Sequence, residues 1–491
     1  MEDSRGIFLG AHYQKKSNEL QSTYIWLKYA NRHGLITGAT GTGKTVTLQV
    51  LAESFSVAGI PVFCADVKGD LSGIAKAGVV SDKIKDRAIE VGLKTIKTQK
   101  SPVIFWDLLG DQGHPIRTTV TEIGPFLLSR MLDLTPAQEG VLNIAFSIAD
   151  EEKRLLIDLK DLKAMLMYAA DHASEFSTRY GNISRSSVGA IQRQLLILET
   201  QGGSHFFGEP ALQLRDLMRT QIDGRGFVNV LAADKIMSYP RLYSTFLFWL
   251  MSKLFEQLPE IDDPDKLRLA FFFDEAHFLF NNASKSFIEK IEQTVRLIRS
   301  KGVGIYFISQ SPLDIPEAIL AQLGNRIQHA LRAYTPREIA AVKTIASTFR
   351  ANSQFDTMEA IGQLSTGEAL VSTLEKKAVP SVVQRTIIRP PWSQIGSITF
   401  DERKELIASS PVFGQYEQTI DRDSAYETLL KSERAEINVS KKGSHQKSVA
   451  DAVTKAVMRS ATNSLGRFLV KAGENVLRNI LRNILGKNRK R

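Results

Sequence analysis

A glycine-rich segment that ends in a lysine and a threonine carries the clearest chemistry in this sequence. It reads Gly38-Ala39-Thr40-Gly41-Thr42-Gly43-Lys44-Thr45 and stands between a predicted strand and a predicted helix. Glycines let backbone N–H groups converge on phosphate oxygens without a clash from Cβ atoms, and the positive end of the following helix adds to the attraction. Lys44 can neutralise the β- and γ-phosphates, and the hydroxyl of Thr45 can bind Mg²⁺. The segment predicts a site for ATP and Mg²⁺.

Two adjacent carboxylates form the second candidate site. Asp274 and Glu275 directly follow the apolar run Phe271–Phe273, which is typical of a strand buried on both faces. Ligands bind beyond the carboxyl ends of parallel strands, so Asp274 is expected to hold the Mg²⁺ shell and Glu275 to polarise a water in line with the γ-phosphate. The alternative is a pair of carboxylates that caps a helix start. A glutamate at this place indicates the additional-strand class of P-loop ATPases, and His277 is read as a neighbour on a helix face that tunes Glu275.

Two further side chains are candidates for reading the nucleotide. Gln310 follows the buried run Gly304–Ser309 and would lie beside the γ-phosphate, where its amide could report the presence of that group. A polar turn before Pro312 is the alternative. Arg299 stands near the end of the helix that follows the two carboxylates; it either caps its own helix or reaches the nucleotide of a neighbouring chain.

The turn after the second predicted strand faces the same edge of the sheet. It contains Asp66, Lys68 and Asp70, which either contact phosphate or DNA or form a solvated turn. Cys64, in the strand itself, is expected to be a buried residue and not a nucleophile. Because it is the single cysteine, an internal disulfide framework and a thiolate zinc site are excluded.

Apolar periodicity predicts the elements that hold these residues. Strand His33–Thr37, helix Val46–Val57 and strand Pro61–Ala65 alternate as in a parallel α/β sheet. The alternation returns later in the chain, at Leu269–Phe273, Lys285–Ser300, Gly304–Ser309, Arg326–Leu331, Pro336–Thr348 and Ala369–Thr373. We expect four zones: an N-terminal segment with the first half of an α/β core (1–100), a mainly helical insertion (101–255), the second half of the core (256–395), and a helical C-terminal extension (396–491).

Composition and charge exclude several classes of protein. The 491 residues are 43% hydrophobic and 24% charged, which is ordinary for a globular protein, and no apolar run approaches the roughly 18–20 residues of a membrane span. The formal net charge is +10, but residues 441–491 hold 13 Lys/Arg against 2 Asp/Glu, a net of +11, so the first 440 residues carry 10 − 11 = −1. We expect a cytoplasmic protein with a neutral body and a basic tail.

The basic tail is predicted to contain an amphipathic helix. On a helical wheel, Leu465, Leu469, Ala472, Val476 and Ile480 fall on one side, and Arg467, Lys471, Arg478 and Arg482 fall on the other. Three interpretations stay open: a packing helix with a solvated face, a nucleic-acid contact, and a contact with an anionic membrane surface or an acidic partner.

Taken together, the motifs resemble those of the HerA/FtsK group of ring ATPases. The resemblance rests on the phosphate loop, on FFFDEAH, on RSKGVGIYFISQSP and on Gly367–Ser372. Three further segments resemble the YjgR-like bacterial branch, known as helicase HerA-like, C-terminal domain: Asp66–Gly73, Gly202–Leu212 and Leu323–Glu338. The resemblance covers about residues 5–395.

This resemblance implies a RecA-like core, ATP hydrolysis, a homo-hexameric ring and movement of double-stranded DNA through its pore. It implies Lys44 and Thr45 as phosphate-loop residues, Gln310 as the sensor and Arg299 as the arginine finger, with Asp274 and Glu275 in the second motif. An alternative from another class is a regulatory ATPase that remodels a protein partner without DNA translocation. A membrane-attached secretion motor is a third reading, against which the lack of an apolar span argues.

Overall fold

The computed structural model describes residues 6–14, 19–261, 265–281 and 283–432. Described residues up to Tyr426 belong to one compact unit, and those from Glu427 onward belong to a second. The basic tail and its expected amphipathic helix lie outside the described residues. Within the part of the chain that is described, no helix combines the length and the apolar character needed to cross a membrane.

One twisted sheet of twelve strands organises the larger unit. In space the strands follow the order β2-β1-β12-β11-β10-β3-β9-β8-β4-β7-β5-β6. Neighbours from β10 to β6 are parallel, and neighbours from β2 to β10 are antiparallel. The strands are β1 Gly6–Gln14, β2 Glu19–Trp26, β3 Gly34–Thr37, β4 Val62–Asp66, β5 Val103–Asp107, β6 His114–Pro115, β7 Val228–Ala232, β8 Leu269–Phe273, β9 Val303–Ser309, β10 Asn325–Gln328, β11 Glu368–Ser372 and β12 Gln384–Ile388.

The described helices connect these strands and cover the sheet. They are α1 Lys44–Val57, α2 Asp82–Glu90, α3 Val120–Met131, α4 Pro136–Glu151, α5 Leu159–Asp171, α6 Ala173–Tyr180, α7 Arg185–Leu198, α8 Ser204–Phe206, α9 Leu214–Leu217, α10 Pro240–Gln257, α11 His277–Phe280, α12 Lys285–Ile298, α13 Glu317–Leu320, α14 Pro336–Ser347, α15 Thr357–Gln363 and α16 Phe400–Ala408. Several begin at the caps that their sequences predict: α4, for example, starts with a Thr135 capping box and Pro136 in its first turn.

Strand β3 lies inside the parallel region, between β10 and β9, and its pairing shows which strand ends share the carboxyl edge of the sheet. Thr37, its last residue, pairs with Ser309 of β9 on one side and with Gln328 of β10 on the other. Strands β8 and β4 follow β9 in the same direction. The segments after β4, β8, β9, β3 and β10 therefore emerge together at the carboxyl edge of the sheet.

The core forms where α1 packs on the centre of the sheet. The ring of Phe55 on α1 lies 6.2 Å from the ring of Phe272 and 5.7 Å from that of Tyr306, all three fully or almost fully buried. Cys64 is buried beside them, as predicted for a structural strand residue. Burial of aromatic side chains of this size supplies much of the free energy that holds α1 against the sheet.

The zone predicted as a helical insertion is helical between two strands of the sheet. Helices α3–α9 occupy its middle, whereas β5 at its start and β7 near its end pair with each other in the central sheet. Helix α10 then returns the chain to β8, and its Tyr243 is fully buried. The 101–255 zone thus contributes both helices and sheet strands to the larger unit.

Of the antiparallel side of the sheet, β11 was predicted from the sequence, whereas β1, β2 and β12 were not. Residues 1–30 show no strong period and hold too little apolar surface for a domain of their own; β1 and β2 form a hairpin there, and β12 joins it to the rest of the sheet. The hairpin is hard to recognise because only two of the eight residues of β2 are buried and a register shift interrupts β1 between Phe8 and Gly10. A Cβ atom at Gly10 would lie only 1.9 Å from the carbonyl oxygen of Ile387, so glycine is required for this pairing.

The segment after β12 continues to pack against the core. The guanidinium of Arg389 forms a fully buried ion pair with Glu53 of α1, with 2.8 Å between Nη1 and Oε1. Glu53 also accepts hydrogen bonds from the backbone N–H groups of Trp392 and Ser393. Residues 396–426, expected to start a C-terminal extension, belong to the same compact unit as the sheet.

Candidate active site

The glycine-rich segment forms a loop at the carboxyl end of β3, and α1 begins directly after it at Lys44. Three of its glycines adopt positive φ angles: 151° at Gly38, 77° at Gly41 and 113° at Gly43. A Cβ atom at Gly38 would lie 2.5 Å from Cβ of His329, so both the backbone angle and the space require glycine. The backbone can therefore turn tightly, as a loop that surrounds a phosphate group must.

Neighbouring strands hold this loop in place. The N–H group of Ala39 donates to the carbonyl oxygen of Ala330, after β10, at 2.9 Å. The N–H group of Gly367, just before β11, donates to the carbonyl oxygen of Thr42 at 3.0 Å. The loop is thus fixed on both flanks by segments that lie about 300 residues further along the chain.

His329 completes this support, and the sequence analysis did not single it out. It directly follows β10, its N–H group donates to the carbonyl oxygen of Thr37 at 2.7 Å, and its side chain is fully buried against the loop. A polar residue at the carboxyl end of a predicted strand was the only feature that could have identified it. Its partners are distant in sequence, so its position next to the loop was invisible without the fold.

Lys44 lies buried at the start of α1. Its Nζ atom donates to the carbonyl oxygens of Gly38 at 2.6 Å and of Ala39 at 3.1 Å. Burial lowers the pKa of Lys44, and the positive charge of Lys68 lowers it further, whereas the carboxylates of Glu275 and Asp274 raise it. The ammonium group is therefore within electrostatic reach of both carboxylates, in a position where a polyphosphate would bring compensating negative charge.

Asp274 directly follows β8 and is half-buried. Its Oδ1 atom accepts the N–H group of Glu275 at 3.0 Å, and its backbone carbonyl accepts the hydroxyl of Tyr243 at 3.1 Å. Burial raises the pKa of Asp274 to about 7, and the charge of Glu275 is the next cause. A carboxyl group in this state gains most from a nearby cation, because a cation stabilises the ionised form.

The geometry is suited to a magnesium ion shared with the nucleotide. Mg²⁺ usually binds through one or two carboxylates together with phosphate oxygens and water, and not in a cage built of protein alone. The described residues contain no group of three or more His, Cys, Asp or Glu side chains that could form such a cage. Asp274 and the partly exposed hydroxyl of Thr45, in the first turn of α1, fit this mode of binding.

Glu275 has an unusual backbone and one unpaired oxygen. Its φ angle is 48°, in the left-handed region that residues other than glycine rarely adopt, and its side chain is only 8% exposed. Its Oε1 atom lies 3.3 Å from Nζ of Lys68. Its Oε2 atom is buried without a hydrogen-bond partner, 3.4 Å from Nδ1 of His277, which has none either. Such strain occurs at sites where the surrounding structure fixes a side chain for a task.

The turn after β4 reaches the site through Lys68, which forms an ion pair with Glu275. Asp66 is buried, and its Oδ2 atom accepts the N–H group of Leu71 at 3.2 Å. Burial, followed by the charge of Asp70, raises the pKa of Asp66 to about 7. The structure places Lys68 at the carboxyl edge of the sheet, in contact with Glu275. The turn is therefore more than a solvated connection, although its contact with phosphate or DNA stays a prediction.

Gln310 and Arg299 lie at opposite edges of the sheet. Gln310 follows β9 directly and is exposed; because Ser309 pairs with Thr37, it stands beside Gly38 at the carboxyl edge. Arg299 precedes β9, on the exposed side of the chain after α12, and its charge helps burial to lower the pKa of His33, at the start of β3, to about 4. The seven residues of β9 separate the two edges by about 23 Å at 3.3 Å per residue.

Comparison with known proteins adds a family to this geometry. The sequence profile of the family described as "Helicase HerA-like C-terminal" matches residues 12–448. Among curated proteins, none matches the sequence significantly.

Two of the solved structures that are similar to this chain are a plasmid coupling protein and a VirB4 protein. The plasmid coupling protein TrwB, in complex with a non-hydrolysable ATP analogue, is 15% identical over 79% of this chain and 98% of its own, with a TM-score of 0.49. VirB4 of Thermoanaerobacter pseudethanolicus is 17% identical over 79% of this chain and 97% of its own, with a TM-score of 0.49.

Proposed function

The chain belongs to the HerA-like helicase C-terminal family and is a P-loop ATPase with a RecA-like core, and from this premise we propose that it is a ring-shaped motor that moves along double-stranded DNA. The observation that carries the proposal is the separation of its candidate catalytic groups. Lys44 and Glu275 lie at one edge of the sheet, and Arg299 lies at the other. A chain built in this way needs a neighbour to complete its site.

Within one chain, the proposed chemistry uses the residues at the carboxyl edge. N–H groups of the loop from Gly38 to Gly43, other than those of Ala39 and Thr42, which donate within the protein, would surround the phosphates, and Lys44 would neutralise the β- and γ-phosphates. Thr45 and Asp274 would hold Mg²⁺, which would stabilise negative charge on the phosphate oxygens. Glu275 then accepts a proton from the attacking water through its unpaired Oε2 atom.

Between chains, Arg299 serves the neighbouring nucleotide. At about 23 Å from the edge that holds Glu275, its side chain is too far from its own site to contact a γ-phosphate. A head-to-tail arrangement that closes into a ring gives every site one arginine from the next chain. We propose a homo-oligomeric ring of this kind, a hexamer by resemblance to the family, in which Gln310 senses the γ-phosphate.

The DNA substrate is proposed from the family and from the basic tail. The +11 charge of residues 441–491 would release counterions from a phosphate backbone, which favours binding without sequence preference. We place such a motor in the cytoplasm. One observation favours a different function: the first 440 residues carry a net charge of −1, so the body has no overall electrostatic attraction to DNA. A regulatory ATPase that remodels a protein partner, without translocation, is therefore the second candidate.

The test measures ATP turnover of the full chain with and without double-stranded DNA, together with the molecular mass of the assembly. The motor predicts a ring-sized assembly whose turnover rises when long duplex DNA is added. Displacement of a third strand from a triplex substrate, dependent on ATP, would then establish movement. An assembled, active ATPase whose turnover is unchanged by DNA of any length would contradict the motor and favour the regulatory ATPase.

A further inference from the structure

Lys68 bridges the turn after β4 and the carboxylate after β8. These two strands are parallel neighbours, so the segments that follow them run side by side. Nζ of Lys68 lies 3.3 Å from Oε1 of Glu275, and the lysine side chain is 41% exposed while that of the glutamate is 8% exposed. A lysine that reaches from the solvent side therefore pairs with a carboxylate that is fixed inside the site.

The same ammonium group lies near the lysine of the phosphate loop. After burial, the positive charge of Lys68 is the strongest cause that lowers the pKa of Lys44. Lys44 itself is directed at the carbonyl oxygens of Gly38 and Ala39, on the loop side of the site. Lys44 and Lys68 are thus close enough for their charges to interact, and a γ-phosphate held by Lys44 would be attracted by both ammonium groups.

A γ-phosphate in this region would compete with Glu275 for Lys68. Its oxygens carry more negative charge than one carboxylate and accept charge-assisted hydrogen bonds strongly. The four-carbon stem of a lysine can reorient at low cost when it is half-exposed, whereas Glu275 is held by its backbone and by burial. While Lys68 holds Oε1, one of the two carboxylate oxygens is unavailable to a water molecule.

We propose that Lys68 is a positioning residue that senses the γ-phosphate: its ammonium group leaves Oε1 of Glu275 for a γ-phosphate oxygen when ATP binds, and returns when that phosphate departs. The exchange breaks one ion pair and forms another, without any covalent step. It makes Oε1 available to water only while ATP is bound, in addition to Oε2, which has no hydrogen-bond partner among the residues that the structure describes. This inference rests on the hydrolytic role proposed for Glu275.

The test compares binding of a non-hydrolysable ATP analogue and of ADP, each with Mg²⁺, by four proteins: the wild type, Lys68→Met, Glu275→Gln and the double variant. Lys68→Met should weaken binding of the analogue about 10-fold and leave ADP binding nearly unchanged, because only the analogue offers a γ-phosphate to the ammonium group. Glu275→Gln should tighten binding of the analogue when Lys68 is present and not when residue 68 is methionine.

Matched controls separate sensing from simple support of the fold. Lys76 is as exposed as Lys68 and forms an ion pair with Glu402, and Lys76→Met should alter neither affinity. Lys68→Arg keeps the charge and should restore part of the preference for the analogue. Equal weakening of both nucleotides by Lys68→Met, an unchanged preference, or a Glu275→Gln effect that persists in the double variant would each overturn the proposal.

These measurements are made without DNA, so a failure of the proposed motor function leaves them interpretable. If duplex DNA does not stimulate turnover, the motor is contradicted while the comparison of the two nucleotides still decides the role of Lys68. If Glu275→Gln retains full turnover, the hydrolytic role fails, and with it the premise of the exchange.

Discussion

His329 and Thr47 join the segment after β10 to helix α1 through one buried hydrogen bond. Nε2 of the imidazole lies 2.9 Å from Oγ1 of Thr47, and Nδ1 lies 2.8 Å from the carbonyl oxygen of Glu368. Because a carbonyl oxygen can only accept, Nδ1 carries the proton, and Nε2 accepts the hydroxyl of Thr47. The neutral ring thus connects the end of β10, helix α1 and the first residue of β11 around the candidate nucleotide site.

This arrangement predicts a loss of stability in mild acid. Burial lowers the pKa of His329 from its ordinary value of 6.5 to about 4. The unfolded chain therefore takes up a proton between pH 6.5 and pH 4 that the folded chain refuses, so the contribution of this group is present above pH 6.5 and is lost as the pH falls towards 4. His329→Gln should reduce the loss of unfolding free energy between pH 7.5 and pH 5 by about 2 kcal/mol.

Urea unfolding of the wild type and the variant at both pH values checks this prediction. His33, which is affected in the same direction, remains in both proteins and cancels in the comparison. His205→Gln, at an exposed position, is the control and should leave the pH dependence unchanged. Equal losses of stability in the wild type and in His329→Gln would mean that His329 takes up its proton equally well in the folded and in the unfolded chain, which would contradict the prediction.

Lys44→Ala should abolish ATP turnover while the fold persists. The variant removes the one ammonium group that the loop directs towards the phosphates, and hydrogen bonds to charged groups of this kind account for about 10- to 100-fold in affinity each. Isothermal titration with ATP and Mg²⁺ measures the loss, and circular dichroism reports the fold. Lys83→Ala, on the exposed face of α2, should bind as the wild type does. Normal turnover by a pure, folded Lys44→Ala protein would mean that the nucleotide binds elsewhere.

Glu275→Gln should bind ATP and Mg²⁺ but hydrolyse ATP about 10²–10⁴ times more slowly. Glutamine keeps the shape of the side chain and cannot accept the proton of the attacking water. Phosphate release under saturating ATP gives the rate, and Glu289→Gln, at an exposed position of α12, provides the control. If the folded variant no longer binds ATP, Glu275 is a ligand and not a base.

Arg299→Ala should bind ATP almost normally and hydrolyse it poorly, by about 10³–10⁵-fold if it acts as other arginine fingers do. Mixed with Lys44→Ala, which is itself inactive, it should regain partial activity, because some interfaces then combine an intact arginine with an intact phosphate loop. Arg296→Ala, about one turn earlier on α12, is the control. A mixture that co-assembles and stays inactive would place the action of Arg299 within its own subunit or at the helix end.

Ending the chain at about Lys441 should leave ATP binding intact and weaken salt-sensitive DNA binding. The deletion removes nearly all of the +11 charge of residues 441–491 and with it the counterions that those side chains release from DNA. The slope of log K against log salt concentration, measured by fluorescence anisotropy with duplex DNA, should become shallower by roughly 0.9 for each lost phosphate contact. An unchanged slope would locate the DNA contacts in the larger unit instead.

The inner part of the fold could be predicted from the sequence because its patterns are local. Strand β8 was predicted with the bounds that the structure has, Leu269–Phe273, since five consecutive apolar residues fit only a strand buried on both faces. The order of strand, glycine loop and helix around β3 and α1 was equally clear. Strands β1, β2 and β12 were missed because none of them is an unbroken run of buried residues like β8.

The site residues also fall into two groups, those that a local motif predicts and those that only the folded chain brings to the site. Residues within a motif, such as Lys44 and Glu275, were predicted because one stretch of sequence sets their chemistry. His329 was missed because its contact with Thr47 spans 282 residues and carries no motif. The ion pair of Lys68 with Glu275 was not predicted, because the two residues follow different strands; the turn was expected either to contact phosphate or DNA or to be solvated.

The place of β3 in the sheet determines when a newly synthesised chain can first bind nucleotide. Both neighbours of β3, at Val303–Ser309 and Asn325–Gln328, are synthesised more than 260 residues after it. At about 5–20 residues per second, the ribosome needs roughly 15 to 50 s to reach them. Throughout that interval the glycine loop has been translated but has no strands on which to rest. The nucleotide site can therefore form only late in synthesis, and a chain released early would contain the glycine-rich motif without a folded binding site.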